Sequence, residues 1–235
     1  MKYIIFLLAL LIGGNVYCQN CSDGFYPFKA GISWETTNYT ATNKAVSKST
    51  SVINSINKSA TGFKANISAK GEDGKGKETF NTSYDVECIN NVFRMDLKSM
   101  MGPEQTAAFK DMKDVTIEFT GDYLETPKSL IIGDTLKQSK MLMTVKNNDI
   151  MMMTMEIEIY DRKVEAKETI TVPAGTYTCY KISYKSRVTS SYAGMPVKTE
   201  SSTTQWLSQG VGMVKMENYR NGKISGYSLL TKYSN

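Results

Sequence analysis

The sequence predicts an all-β fold: a single curled antiparallel sheet or half-barrel of about ten strands with one short helix. Three observations carry that expectation. Apolar and polar side chains alternate with period two along almost everything after residue 30, as strands with one buried and one wet face require. Short turn signals rich in Gly and Asn separate these runs, and proline is scarce inside them. Thr, Tyr, Val and Ile, which fit a pleated surface, are frequent within them.

The chain opens MKYIIFLLALLIGGNVYCQN, with one lysine, an apolar run from Tyr3 to Ile12, Gly13-Gly14 and a short polar stretch. This is the pattern of a secretory leader, and the run is shorter than the ~20 apolar residues of a membrane span. The expected leader is residues 1–18. It leaves 19–235 as a single antiparallel β domain, exported to the periplasm or secreted. The alternative, a lipid anchor at Cys18, needs a small preceding residue, where the bulky Tyr17 stands. No later apolar run approaches spanning length, so no transmembrane segment is expected after cleavage.

The strands follow in order. Phe63, Ala65, Ile67 and Ala69 alternate with Lys64, Asn66, Ser68 and Lys70, and GEDGKGK (71–77) turns the chain into TFNTSYDVEC (79–88). PEQTAAFKDM (103–112) starts with Pro and continues with good helix formers, which predicts the short helix. Val115, Ile117 and Phe119 alternate again, and VPAG (172–175) parts two further strands. Asn221-Gly222 suits a type I′ hairpin pairing Arg220 with Lys223 and Tyr219 with Ile224. Continued without interruption, that register sets Met216 opposite Tyr227 and Val214 opposite Leu229.

KMLMTVKNNDIMMMTMEI (140–157) predicts a methionine-rich hairpin. A three-residue loop over Asn147–Asp149 sets Val145 opposite Met151, Met143 opposite Met153 and Met141 opposite Met155, all on one face. Methionine adapts to irregular apolar space, so Met141, Met143, Met151, Met153, Met155 and Ile157 are candidates for lining a ligand cavity. The minority alternative is a soft-metal site for Cu(I) on Met141, Met143, Met151, Met153 and Met155.

Composition narrows the chemistry. The 235 residues carry a net charge of +5 and contain no histidine. Ser-His-Asp and Cys-His nucleophile systems and the usual catalytic zinc sets are thereby excluded. Carboxylate or lysine chemistry is what remains open to an enzyme. Glu156 and Glu158 share a strand face, but they alternate with Met155, Ile157 and Ile159 as an ordinary solvated face does. GEDGKGKE (71–78) nearly matches a phosphate-binding loop, yet Glu78 stands at the Ser/Thr position and a strand follows where a helix belongs. Acidic and basic residues are interleaved, so no nucleic-acid surface is expected. The expectation is a non-enzymatic protein without a cofactor.

Three cysteines survive cleavage at residue 18. Cys88 shares the inward phase of Phe80, Tyr84 and Val86, whereas Cys179 sides with Lys181 and Ser183. An exported chain favours oxidation, and the phase favours Cys21–Cys88 with Cys179 left over.

CSDGFYPFKAGISWE (21–35), PEQTAAFKDM (103–112), RKVEAKETITVPAGTYTCYKISY (162–184) and QWLSQGVGMVKMENYRNGKISGYSLLTKY (205–233) resemble an uncharacterised exported family common in Bacteroidota, labelled TapB-like. The resemblance covers nearly the whole mature chain and implies no reaction and no catalytic residues. The architecture it implies is similar to that of periplasmic half-barrel lipoprotein carriers, which fold a curved sheet around an apolar cavity. The expected role is therefore binding of an apolar or amphipathic, lipid-like ligand on the concave face. The alternatives are soft-metal binding and an envelope interaction module whose partner is a protein.

Overall fold

The computed structural model describes residues 21, 24–59, 61–100, 112–192 and 194–234. The expected leader lies outside these residues, as does the expected helix apart from Met112. Among the described residues there is a single 3-10 turn, Leu97–Met100, between strands and no helix long and apolar enough to cross a membrane.

Thirteen strands, rather than about ten, form one antiparallel sheet. They are β1 (Ser33–Thr40), β2 (Ala45–Ser59), β3 (Gly62–Asp73), β4 (Glu78–Ile89), β5 (Val92–Asp96), β6 (Val115–Gly121) and β7 (Tyr123–Pro127). They continue with β8 (Ser139–Asn147), β9 (Ile150–Val172), β10 (Gly175–Tyr192), β11 (Met195–Ser208), β12 (Gly212–Arg220) and β13 (Lys223–Ser234). The spatial order is β6-β8-β9-β10-β11-β12-β13-β1-β2-β3-β4-β5-β7, so the first strand docks beside the last. A sheet this wide protects its edges by curling, and here it curls into a nearly closed barrel.

The ring closes where β7 reaches β8. The Asp122 amide donates to the Lys140 carbonyl at 2.8 Å, and the Ser139 hydroxyl donates to the Tyr123 carbonyl at 2.8 Å. Closure covers only part of the wall height, because β5 pairs with β4 over Val86–Ile89 alone. The stretch of β4 from Glu78 to Asp85 thus has no strand beyond it among the described residues, and β6 has only β8 as a neighbour.

Turn chemistry places the hairpins. Asp73 accepts the amides of Lys75 and Lys77 at 2.9 Å each, which makes GEDGKGK a turn and holds the Asp73 carboxyl below its usual range. Asn221 and Gly222 both take positive φ, and Arg220–Lys223 and Tyr219–Ile224 pair as the sequence predicts. A bulge then shifts the register: Met216 faces Ser228 and Lys215 faces Leu229, one residue from the uninterrupted expectation. At Gly62 a Cβ would lie 1.8 Å from the Cys88 carbonyl oxygen, so β3 can hold its register against β4 only with glycine there.

The interior is filled at one end by the chain itself. Phe25 packs with Leu130, Leu136, Val164, Ile182 and Leu207, and Tyr26 stacks on Phe93 with ring centroids 3.8 Å apart. Phe28 meets Phe63 edge-on, so residues 25–28 span from the β9–β11 wall to the β3–β5 wall. The Cys21–Cys88 disulfide ties this segment to β4, the pairing the strand phase favoured.

Cys179 is the free cysteine among the described residues, and it is buried. Its phase is the expected one, opposite to Ile182. It is buried nonetheless, because it belongs to a packed cluster with Val172, Trp206, Val214 and Leu230. Burial pushes its thiol up to about 11, with the Glu168 carboxylate adding to the effect. A thiol of this kind reacts with a disulfide reagent only after unfolding. We expect no labelling of native protein at mildly alkaline pH and one thiol per chain in denaturant; rapid native labelling would contradict the packing.

Candidate functional site

The concave face is built by cross-strand rows whose members come from neighbouring strands. One row runs Ile117, Val145, Met153, Tyr192 and Met195; the next runs Phe119, Met143, Met155, Ser190 and Val197; a third runs Met141, Ile157, Val188 and Thr199. Together they form an almost wholly apolar wing across β6 and β8–β11. Met141 and Met143 are fully buried beneath it, while Met153, Met155 and Ile157 remain partly accessible. Toward the open end the wing becomes exposed at Tyr192, Met195 and Val197.

Five of the six predicted cavity residues therefore share one face, but not in the predicted register. The loop is a two-residue turn, with Asn148 and Asp149 both at positive φ, followed by a bulge at Met152. Met143 faces Met155 instead of Met153, and Met141 faces Ile157 instead of Met155. Met151 pairs with Lys146 on the convex side and is 63% exposed, so it leaves the patch. Four of the five candidate metal-binding methionines accordingly stay together. Among the described residues no cluster of His, Cys, Asp or Glu could hold a metal ion.

The facing arc is polar and made of small residues. Ser186 hydrogen-bonds Ser201 at 2.8 Å, and Thr203 donates to Asn218 at 3.0 Å. Ser228 donates to Asn38, which donates in turn to Ser47 at 2.9 Å. Thr36, Ser51, Thr203 and Ser228 are buried, so these groups belong to the interior. Buried hydroxyls and amides find partners, and this arc supplies them along β10–β2. The concave surface is thus amphipathic in cross-section.

Between the wing and the filled end lies a feature that strand phase alone does not reveal. Ile159 and Val164 are both buried although they stand an odd five positions apart, because Asp161 takes φ 50 in a bulge. The bulge turns Arg162 inward, where it is 1% exposed. Its Nη1 donates to the Glu125 carbonyl at 2.8 Å and to the Lys137 carbonyl at 2.6 Å, reaching across the barrel's seam. Its Nη2 lies 3.5 Å from Thr126 Oγ1, and its Nε has no hydrogen-bond partner among the described residues. Burial lowers its pKa from the ordinary arginine value. Tyr26 and Tyr184 lie in electrostatic reach, and burial raises the pKa of both phenols.

The convex face is a lattice of ion pairs, among them Glu156–Lys140 at 2.7 Å and Glu158–Arg187 at 2.9 Å. The two glutamates are the solvated face that alternation predicts. A depression of about 360 Å³ at the free edge of β4 is lined by Lys64, Tyr84, Asp85, Asp96, Lys98 and Tyr123 among others. Of its charged groups, Lys64 pairs with Asp85 and Lys98 with Asp96, while Glu87 pairs with Arg94 beside it.

Two crystal structures share this architecture. One is of an exported-protein candidate with a YmcC-like fold from Bacteroides fragilis: 21% identity, TM-score 0.68, covering 91% of this chain and 100% of that one. The other is of a lipoprotein candidate from Parabacteroides distasonis: 19% identity, TM-score 0.70, covering 90% of this chain and 99% of that one. At such identities the likeness establishes the fold. No curated protein matches the chain. A family profile described as DUF3108-like matches residues 29–230, and the chain belongs to that family.

Proposed function

We propose that this is an exported, non-enzymatic protein that holds an amphipathic, lipid-like molecule against its concave face. The observation that carries the reading is the division of that face into an apolar methionine wing and a facing arc of Ser, Thr and Asn. A ligand with one apolar and one polar side matches both surfaces without leaving buried hydroxyls unpaired. The leader at 1–18 and a single mature domain at 19–235 belong to the same proposal. Export is supported by the leader pattern and by what is said of the two structural relatives. The narrower TapB-like resemblance is compatible with it and adds no ligand.

Native mass spectrometry of protein purified without detergent tests the reading. The expected result is a bound amphiphile lost on organic extraction and regained on adding a single-chain lipid. A mass equal to the bare chain, with no uptake of added lipid, would overturn it. The second reading, a soft ion such as Cu(I), is favoured by the direct Met143–Met155 pairing. Cu(I) titration of the native protein and of a Met143→Leu/Met155→Leu variant decides it, since equal weak binding ends that reading. Crosslinking to one envelope protein, together with an empty interior, would instead favour the interaction module.

A further inference from the structure

We infer that Arg162, with the hydroxyls of Tyr26 and Tyr184, receives the anionic head group of the amphiphile at the floor of the concave face. The inference rests on the amphiphile reading above and assigns that ligand's charge and orientation. Arg162 is a fully charged fork held inside the barrel, and no carboxylate lies within ion-pair distance of it among the described residues. The nearest acid on β7, Glu125, turns its side chain to the convex side, where Arg94 and Lys137 hold it at 3.3 and 3.4 Å.

A buried guanidinium held only by neutral acceptors is costly, and a purely structural clamp to two carbonyls needs no cation. Its bonds occupy Nη1, leaving Nε without an acceptor and Nη2 with a long contact. Those are donors suited to a carboxylate or phosphate oxygen. Tyr26 stacks on Phe93, and its phenol lies within electrostatic reach of the guanidinium. Tyr184 packs against Leu97, Met141 and Ile159 at the foot of the methionine wing, with Thr203 in reach of its hydroxyl. A tail laid along Ile157 and Met155 would therefore bring its head to the arginine and the two phenols.

The test compares amphiphiles of equal chain length on the intact mature protein: a C16 carboxylate, a C16 alkyl phosphate, hexadecanol and a C16 trimethylammonium salt. The expected result is that both anions bind about tenfold or more tightly than the alcohol, with the ammonium weakest. The carboxylate and phosphate arms separate a fatty acid from a phosphorylated lipid. Tyr26→Phe and Tyr184→Phe keep the rings, and each should narrow the preference for the anions over the alcohol. Arg162→Gln, where it folds, should abolish the preference. Equal binding of all four amphiphiles overturns the head-group assignment and leaves the amphiphile reading intact. Binding of none overturns both.

Discussion

Replacing Cys21 and Cys88 together with serine lowers the unfolding free energy by roughly 4 kcal/mol in equilibrium denaturation. The cysteines are 67 residues apart, and a cross-link closing a loop of that size removes about this much chain entropy from the unfolded state. A native-state effect accompanies it. The segment that crosses the interior, Phe25 to Phe28, joins the ring through aromatic contacts and through the Gly210 amide donating to the Gly24 carbonyl at 2.9 Å. Without the disulfide that segment becomes the first to detach, so the amides of Gly24, Phe25, Tyr26 and Phe28 should gain exchange before those of β9–β11. Uniform loss of protection across the sheet would show that the disulfide acts on the unfolded chain alone.

Met143→Asp is expected to destabilise the fold by about 3–5 kcal/mol, because it places an unpaired carboxylate where the native side chain is 0% exposed. Burial disfavours the ionised form, so the new acid's folded pKa rises above its unfolded value of about 3.9. The penalty is then full above the folded pKa. Its ionisation component shrinks as pH falls through that pKa and is gone below the unfolded one, leaving the cost of a buried neutral carboxyl in place of a packed methionine. Met155→Asp, directly across the strand pair, faces accessible space and should leave stability within about 1 kcal/mol of the original. It should nevertheless abolish uptake of a single-chain lipid. Urea titrations and lipid binding on the two variants measure this. Comparable destabilisation by both would mean that the wing is packed core throughout, with no face left for a ligand.

How far the sequence reveals this depends on where bulges fall. The all-β class, the Asn221-Gly222 turn and the inward phase of Cys88 depend on local alternation, which no tertiary contact had to adjust. The methionine register depends on one turn, and the chain uses Asn148-Asp149 with a bulge at Met152 where a three-residue loop was the simpler reading. The bulge restores the phase, so Met153 and Met155 still face inward while Met151 does not. Arg162 escapes notice for the same reason: counted from Ile159 it belongs outside, and only the burial of Val164 five residues on reveals the slip. The polar arc carries no signal at all, since Ser, Thr and Asn on the inner side of a strand resemble an ordinary wet face until the barrel closes over them.

The gap at the seam invites the view that the ring is weakest where it visibly ends. The connectivity indicates the opposite joint. β6 ends at Gly121 and β7 begins at Tyr123, so a single residue tethers the two free edges of the sheet and keeps each at high effective concentration near the other. The joint that must be found by search lies in the middle of the wall, where Trp34 of β1 meets Tyr233 of β13. Eleven strands, β2–β12, lie between those partners along the chain, and the closure entropy of that loop must be overcome before their ladder can form. β13, the strand that completes the wall, is therefore also the keystone. Until β13 docks on β1 there is a ribbon with a curl; afterwards there is a vessel.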